Sequence, residues 1–237
     1  MKFTSILLSL CVLLACDKNN NEATIIMPTL PTASNSLTYL ALGDSYTIGE
    51  AVSQKESFPY HLVSQLKIEG KNFAASPKII AKTGWTTDEL QAAIKTENIA
   101  QKYDVVTLLI GVNNQYRGYA QTTYRKEFKE LLQTAINFAN GNKKHVFVVS
   151  IPDWGVTPFG KSSGKNIQTI GLEIDAFNAI AKEETSALGI NYTDITPASR
   201  NATTDLSLVA SDGLHPSGKM YTEWAVKVAP AILSALK

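Results

Sequence analysis

The sequence predicts a three-layer α/β/α sandwich built on a five-stranded, mostly parallel sheet. Two observations carry this. From residue 38 onward short apolar runs alternate with helical patterns, the order that places crossover helices between parallel strands. Two of those runs, residues 105–110 and 146–151, are almost continuously apolar, as strands buried on both faces are. The 237 residues, 44% of them hydrophobic and 18% charged, suffice for one sizeable core, and no linker or repeat divides them.

The first strand is expected over residues 38–42 and a shorter one over 78–81. The two buried runs follow, and residues 190–195 form a weaker fifth. The first helix starts at Ser57, with Pro59 in its first turn and Leu62, Val63 and Leu66 facing inward. Thr86 and Glu89 stand at capping-box spacing and open a helix that carries Leu90 and Ile94. Tyr124, Phe128, Leu131, Ala135 and Phe138 recur every three or four residues, as do Ile170, Ile174, Phe177, Ala181 and Leu188. A last helix follows His215, with Pro216 at its first position and Tyr221, Trp224 and Val228 inward; Pro230 is expected to kink or end it. Right-handed crossovers put the strand C-terminal ends on one edge, where ligands bind in open α/β sheets. Ser45, Gly84, Asn113 and Asp153 all follow such ends.

The N-terminus is expected to lie outside this domain. Lys2 precedes an apolar run over residues 6–15, too short to cross a bilayer as a stable helix and of the form of a secretory signal. It ends Leu13-Leu14-Ala15-Cys16, which resembles the lipobox of bacterial lipoproteins. That resemblance implies a signal peptide over residues 1–15, lipidation of Cys16 and a membrane-anchored protein of the bacterial cell envelope, facing the periplasm or the exterior. Cys11 and Cys16 are then both used in targeting, which leaves the mature domain without a disulfide. Residues 16–36, polar and containing Pro28 and Pro31, read as a tether, and residues 37–237 as the domain. With Lys and Arg totalling 22 against 21 Asp and Glu, no polyanion or nucleic-acid partner is expected. Three dispersed histidines give no metal-ligand spacing, so no metal or other cofactor is expected. A monomer is expected.

The chemistry lies in four short blocks. Asp212-Gly213-Leu214-His215 places a carboxylate three residues before an imidazole, where it can accept from one ring nitrogen and leave the other free as a base. Gly43-Asp44-Ser45 delivers a serine at the end of the first strand, a nucleophile such a base would activate. Between them stand Gly84, in Thr83-Gly84-Trp85, and Gly111-Val112-Asn113-Asn114. Taken singly, Ser45 reads first as a helix N-cap or turn serine, Asp212-Gly213 as a turn, and the asparagines as turn formers. His61 and His145 read as surface residues, and Asp44 suits holding the loop beside Ser45. The Gly-x-Ser-x-Gly elbow is absent around Ser45.

In this order the four blocks resemble those of the GDSL, or SGNH, hydrolases, with Tyr46 where the name-giving motif has leucine. The resemblance spans residues 43–216 and implies a flavodoxin-like sandwich and a serine-dependent carboxylic ester hydrolase (an esterase or lipase). It implies an acyl-enzyme on Ser45, His215 as base and Asp212 orienting it. The oxyanion hole would be the backbone N–H groups of Ser45 and Gly84 and the side-chain amide of Asn113. The expected substrate is a small-molecule, lipid or glycan ester. A carbohydrate acetylesterase, a thioesterase and an inactive glycan-binding lipoprotein remain open alternatives. Tyr46, Asn114, Tyr116, Arg117 and Trp154 follow strand ends and would either line the substrate pocket or pack loops together.

Overall fold

A computed structural model describes residues 36–74 and 76–237. The expected signal, Cys16 and all but the last residue of the expected tether lie outside the described residues. Five strands form one parallel sheet in the order β2-β1-β3-β4-β5: β1 is Tyr39–Gly43, β2 Lys78–Ala81, β3 Val105–Leu109, β4 Val146–Val149 and β5 Asn191–Thr193. Every residue of β1, β3 and β4 is buried, which is why these segments are runs of apolar residues without alternation.

The α-helices in chain order are α1 Ser45–Ile48, α2 Phe58–Ile68, α3 Thr87–Glu97, α4 Val112–Tyr116, α5 Gln121–Phe138, α6 Pro158–Ser162, α7 Ile167–Ala187, α8 Thr196–Ser199 and α9 Gly218–Ala235. The step from β1 to β2 runs one way across the sheet, and the steps from β2 through β5 run the other. Right-handed crossovers therefore put α2 on one face and α3, α5 and α7 on the opposite face. Helix α9 returns to pack along α2, while α5 packs between α3 and α7. Trp224 of α9 anchors the first layer, its ring 5.2 Å from Tyr221, 6.4 Å from Phe58 and 6.3 Å from Tyr46.

The register positions the site. Gly43 pairs with both Ala81 and Leu109, so the first three strands end level and their following loops meet at one point. This is the edge where the strand order reverses, between β1 and β3.

The structure corrects several details. The first strand begins one residue later than expected, and the two buried strands end at Leu109 and Val149. Beyond Val149 the chain leaves the ladder because the Asn178 side chain takes over the backbone of Ile151, accepting from its N–H and donating to its C=O, both at 2.9 Å. Pro216 is not the first residue of the last helix. Ser217 caps α9 by accepting from the Met220 N–H, and Pro216 pairs with Val209 in an isolated antiparallel bridge. Pro230 does not end α9, which runs on to Ala235. Its ring lies on the exposed face, and the Val226 carbonyl it leaves without a helical partner is on a half-exposed residue that water can reach.

Candidate active site

The turn after β1 is built around Asp44. Its side chain caps α1 by accepting from the Tyr46 N–H at 3.0 Å, and its carbonyl accepts from Thr47 and Ile48. Asp44, not Ser45, is the cap, so the Ser45 hydroxyl is not used in holding the helix. No side chain fits at position 43: a Cβ there would lie 2.1 Å from Thr47 Oγ1 and 2.4 Å from the Leu109 carbonyl. The glycine therefore lets the turn close against β3. Burial raises the Asp44 carboxyl from 3.8 to about 7, against the opposing pull of the Tyr46 N–H.

Gly84 follows β2 with φ +87°, the left-handed region that glycine enters without strain. Side-chain hydrogen bonds tie its loop to α4. Arg117 Nη2 donates to the Gly84 carbonyl at 2.6 Å, Asn113 Nδ2 to the Trp85 carbonyl at 2.9 Å, and Asn114 Oδ1 accepts from the Thr87 N–H at 3.1 Å. The Arg117 guanidinium is itself steadied by Glu89, the carboxylate that closes the capping box of α3 on the Thr86 N–H. That backbone bond is the main cause of the lowered Glu89 pKa. A primary amide has two N–H donors, so Asn113 keeps one beyond the bond to Trp85.

Asp212 and His215 form a self-contained turn. Asp212 Oδ1 accepts from the N–H groups of Leu214 and His215 at 2.9 and 3.0 Å, and Oδ2 lies 2.5 Å from His215 Nδ1. Gly213, at φ +74°, allows the bend. Partial burial pushes the Asp212 carboxyl up, but the His215 ring and these two N–H groups together outweigh it and hold the pKa below the usual value. The ionised carboxylate favours the tautomer with the proton on Nδ1, which leaves the Nε2 lone pair free. His215 is 7% exposed, and its ring lies edge-on to Tyr46, 5.7 Å between centroids.

These elements meet around a cavity of about 230 Å³. Ser45, Gly84, Asn113 and His215, residues from both ends of the domain, all line it; Asp212 stands behind the imidazole. Ser45 Oγ and His215 share this cavity without a hydrogen bond between them, and such bonds often tighten only when substrate binds. Of the expected pocket residues, Tyr46, Tyr116 and Trp154 line the cavity. Asn114 and Arg117 do not, because the loop at residues 84–87 engages their polar groups. Sequence reasoning missed Val112, Phe159 and Leu214, which complete the apolar wall. The positions of Val112 beside Asn113 and of Leu214 beside His215 were usable signals; Phe159 carried none.

Asp153 follows β4 as expected but is structural, accepting from the Gly155 N–H and from Arg200 Nε, each at 2.9 Å. His61 faces Thr222 on α9, and His145 lies in the turn before β4; neither lines the cavity.

The model of the GDSL-like lipase/acylhydrolase family matches residues 41–222. No curated protein matches the chain. Among solved structures, the lipase/acylhydrolase from Enterococcus faecalis is 20% identical, with 84% of this chain and 96% of that one covered at a TM-score of 0.65. A lipase from a goat rumen metagenome is 22% identical over 83% of this chain and 97% of that one, TM-score 0.65. An acetyl xylan esterase is 15% identical over 85% of this chain and all of that one, TM-score 0.63. At these identities the likeness to solved structures establishes a shared fold. The family match covers most of the chain, and it is on that match, over a site of serine, imidazole and amide donors, that the chain belongs to the GDSL-like lipase/acylhydrolase family of ester hydrolases.

Proposed function

We propose that this ester hydrolase works through an acyl-enzyme on Ser45. His215 Nε2 takes the Ser45 proton as Oγ bonds to the ester carbonyl carbon, and the carbonyl π pair moves onto oxygen. The backbone N–H groups of Ser45 and Gly84 and the free N–H of Asn113 receive that oxyanion. His215 then gives its proton to the departing alkoxide as the C–O bond breaks. Water repeats the sequence on the acyl-enzyme, releasing the acid and restoring Ser45. Asp212 holds the imidazole in the tautomer this requires and stabilises the imidazolium between steps. The observation that carries the reading is the 2.5 Å contact of Asp212 with His215 Nδ1, which leaves the other ring nitrogen as the working one in a cavity shared with Ser45.

A fluorophosphonate probe tests this. It is expected to label wild-type protein on Ser45, and Ser45→Ala is expected to lose both labelling and ester cleavage while unfolding at nearly the wild-type temperature. Labelling that persists in Ser45→Ala refutes the assignment. Lipidation of Cys16, an envelope location and a monomeric state belong to the same proposal. Cys16→Ser is then expected to move the protein from the membrane fraction to the soluble one.

A further inference from the structure

Beside the catalytic cavity lies a second cleft of about 520 Å³, between α4 and the first turns of α7. The two spaces share a wall made by Trp154, in the turn after β4, and Tyr116, at the end of α4. Tyr116 borders both spaces. Trp154 lines the catalytic cavity and has residues of the cleft behind it. Its indole Nε1 donates to Gln115 Oε1 at 2.8 Å, and its ring packs at 5.4 Å against Tyr116. The Lys165 ammonium stands 5.6 Å from the same ring centroid. Gln115, Tyr116 and Lys165 all line the cleft.

Gln115 keys this wall in place. Trp154 is 2% exposed, and a buried indole N–H requires an acceptor. Gln115, 5% exposed, supplies one, while its Nε2 donates to Glu173 on α7 at 2.6 Å. With its amino group tied to a carboxylate, the amide can turn only its oxygen to Trp154. The indole is thereby fixed across the cavity, which at about 230 Å³ falls below the roughly 300 Å³ at which pockets begin to enclose drug-sized ligands. Beyond the wall the cleft is lined mostly by apolar surface, including Ile170 and Phe177 of α7. Ile170 sits directly behind the Trp154 turn, where a Cβ on Gly155 would lie 3.0 Å from its side chain. Room and apolar surface for a longer chain therefore begin on the far side of one indole. The acyl group stays bonded to Ser45 through both steps while the alcohol departs after the first, so the acyl chain is the part this wall confronts.

We infer that Trp154 sets the upper limit on acyl length and that Gln115, bridged to Glu173, is the positioning residue that holds it there. The inference rests on the acyl-enzyme reading of the first cavity; neither Trp154 nor Gln115 takes part in proton transfer.

The test measures kcat/KM for p-nitrophenyl butyrate and p-nitrophenyl octanoate in wild type, Trp154→Ala and Gln115→Met. Gln115→Met keeps the length of the side chain and every atom of Trp154 and removes only the acceptor, so it decides the matter even where Trp154→Ala does not fold. Each methylene that gains an apolar surface is worth about fourfold. The octanoate-to-butyrate ratio is expected to lie below one in wild type, to rise at least tenfold in Trp154→Ala and to rise about threefold or more in Gln115→Met. A residue that only stabilised the fold would lower both rates together and leave the ratio alone. A ratio unchanged in Trp154→Ala overturns the limit, as does a wild type that prefers octanoate. A ratio raised by Trp154→Ala and unmoved by Gln115→Met overturns the positioning role. A wild type that cleaves neither ester overturns the acyl-enzyme reading, and the limit with it.

Discussion

Asp44 stands next to Ser45, and burial favours its neutral, protonated form. It is fully buried; Oδ1 accepts from the Tyr46 N–H, and Oδ2 has no hydrogen-bond partner among the described residues. Burial raises its pKa from 3.8 to about 7, which at 1.36 kcal/mol per tenfold amounts to about 4 kcal/mol. The sign follows from proton counting. Between about pH 4 and pH 7 the unfolded chain has lost this proton and the folded protein keeps it, so stability falls as pH rises, by up to about 1.4 kcal/mol per pH unit from this group. Asp44→Asn keeps an oxygen for the Tyr46 N–H and has no proton to lose. Urea unfolding of both proteins at closely spaced pH values is therefore expected to give diverging curves, with the variant gaining about 4 kcal/mol on wild type from about pH 4 to pH 8. That is a large fraction of a typical folding free energy of about 5–15 kcal/mol. Every other titration is common to the two proteins, so parallel curves across this window would refute the claim that Asp44 is folded as the neutral acid.

Asn113→Ala removes a proposed oxyanion donor and is expected to lower kcat by about 10²–10³, with a stability loss of only about 1 kcal/mol from the bond to Trp85; steady-state kinetics beside thermal melts separate the two. Gly84→Ala is expected to cost about 1–2 kcal/mol from its left-handed backbone alone, since a Cβ there meets only Arg117 at 3.5 Å. Gly111→Ala is expected to cost clearly more, because φ is +130° and a Cβ would lie 2.8 Å from the Tyr124 ring; equal losses in urea unfolding would contradict this. Pro230→Ala restores a donor inside α9 and is expected to stabilise the fold by about 1–3 kcal/mol in the same assay.

What was legible in the sequence was whatever is local or strongly periodic. The long helices and buried strands announced themselves through apolar spacing. The Asp212–His215 contact is closed by a four-residue turn, and the role of Asp44 as holder of its loop depends on a bond only two residues long. The short helices α1, α4, α6 and α8 were not expected, because four or five residues cannot display a 3.6-residue period. Arg117 looked like a substrate contact because its partner, the Gly84 carbonyl, lies 33 residues away in the chain. The neighbouring asparagines make the same point most sharply. Asn113 and Asn114 have identical side chains and adjacent positions, yet one borders the cavity and the other is fully buried against Thr87. Their fates are set by the start of a five-residue helix at Val112, since one residue along a helix turns the side chain by about 100°. That start is fixed by Gly111, whose backbone passes too close to the Tyr124 ring to admit a side chain. Which amide faces the cavity is therefore decided by α5 packing beneath it, a long-range contact to which a motif of four letters is blind.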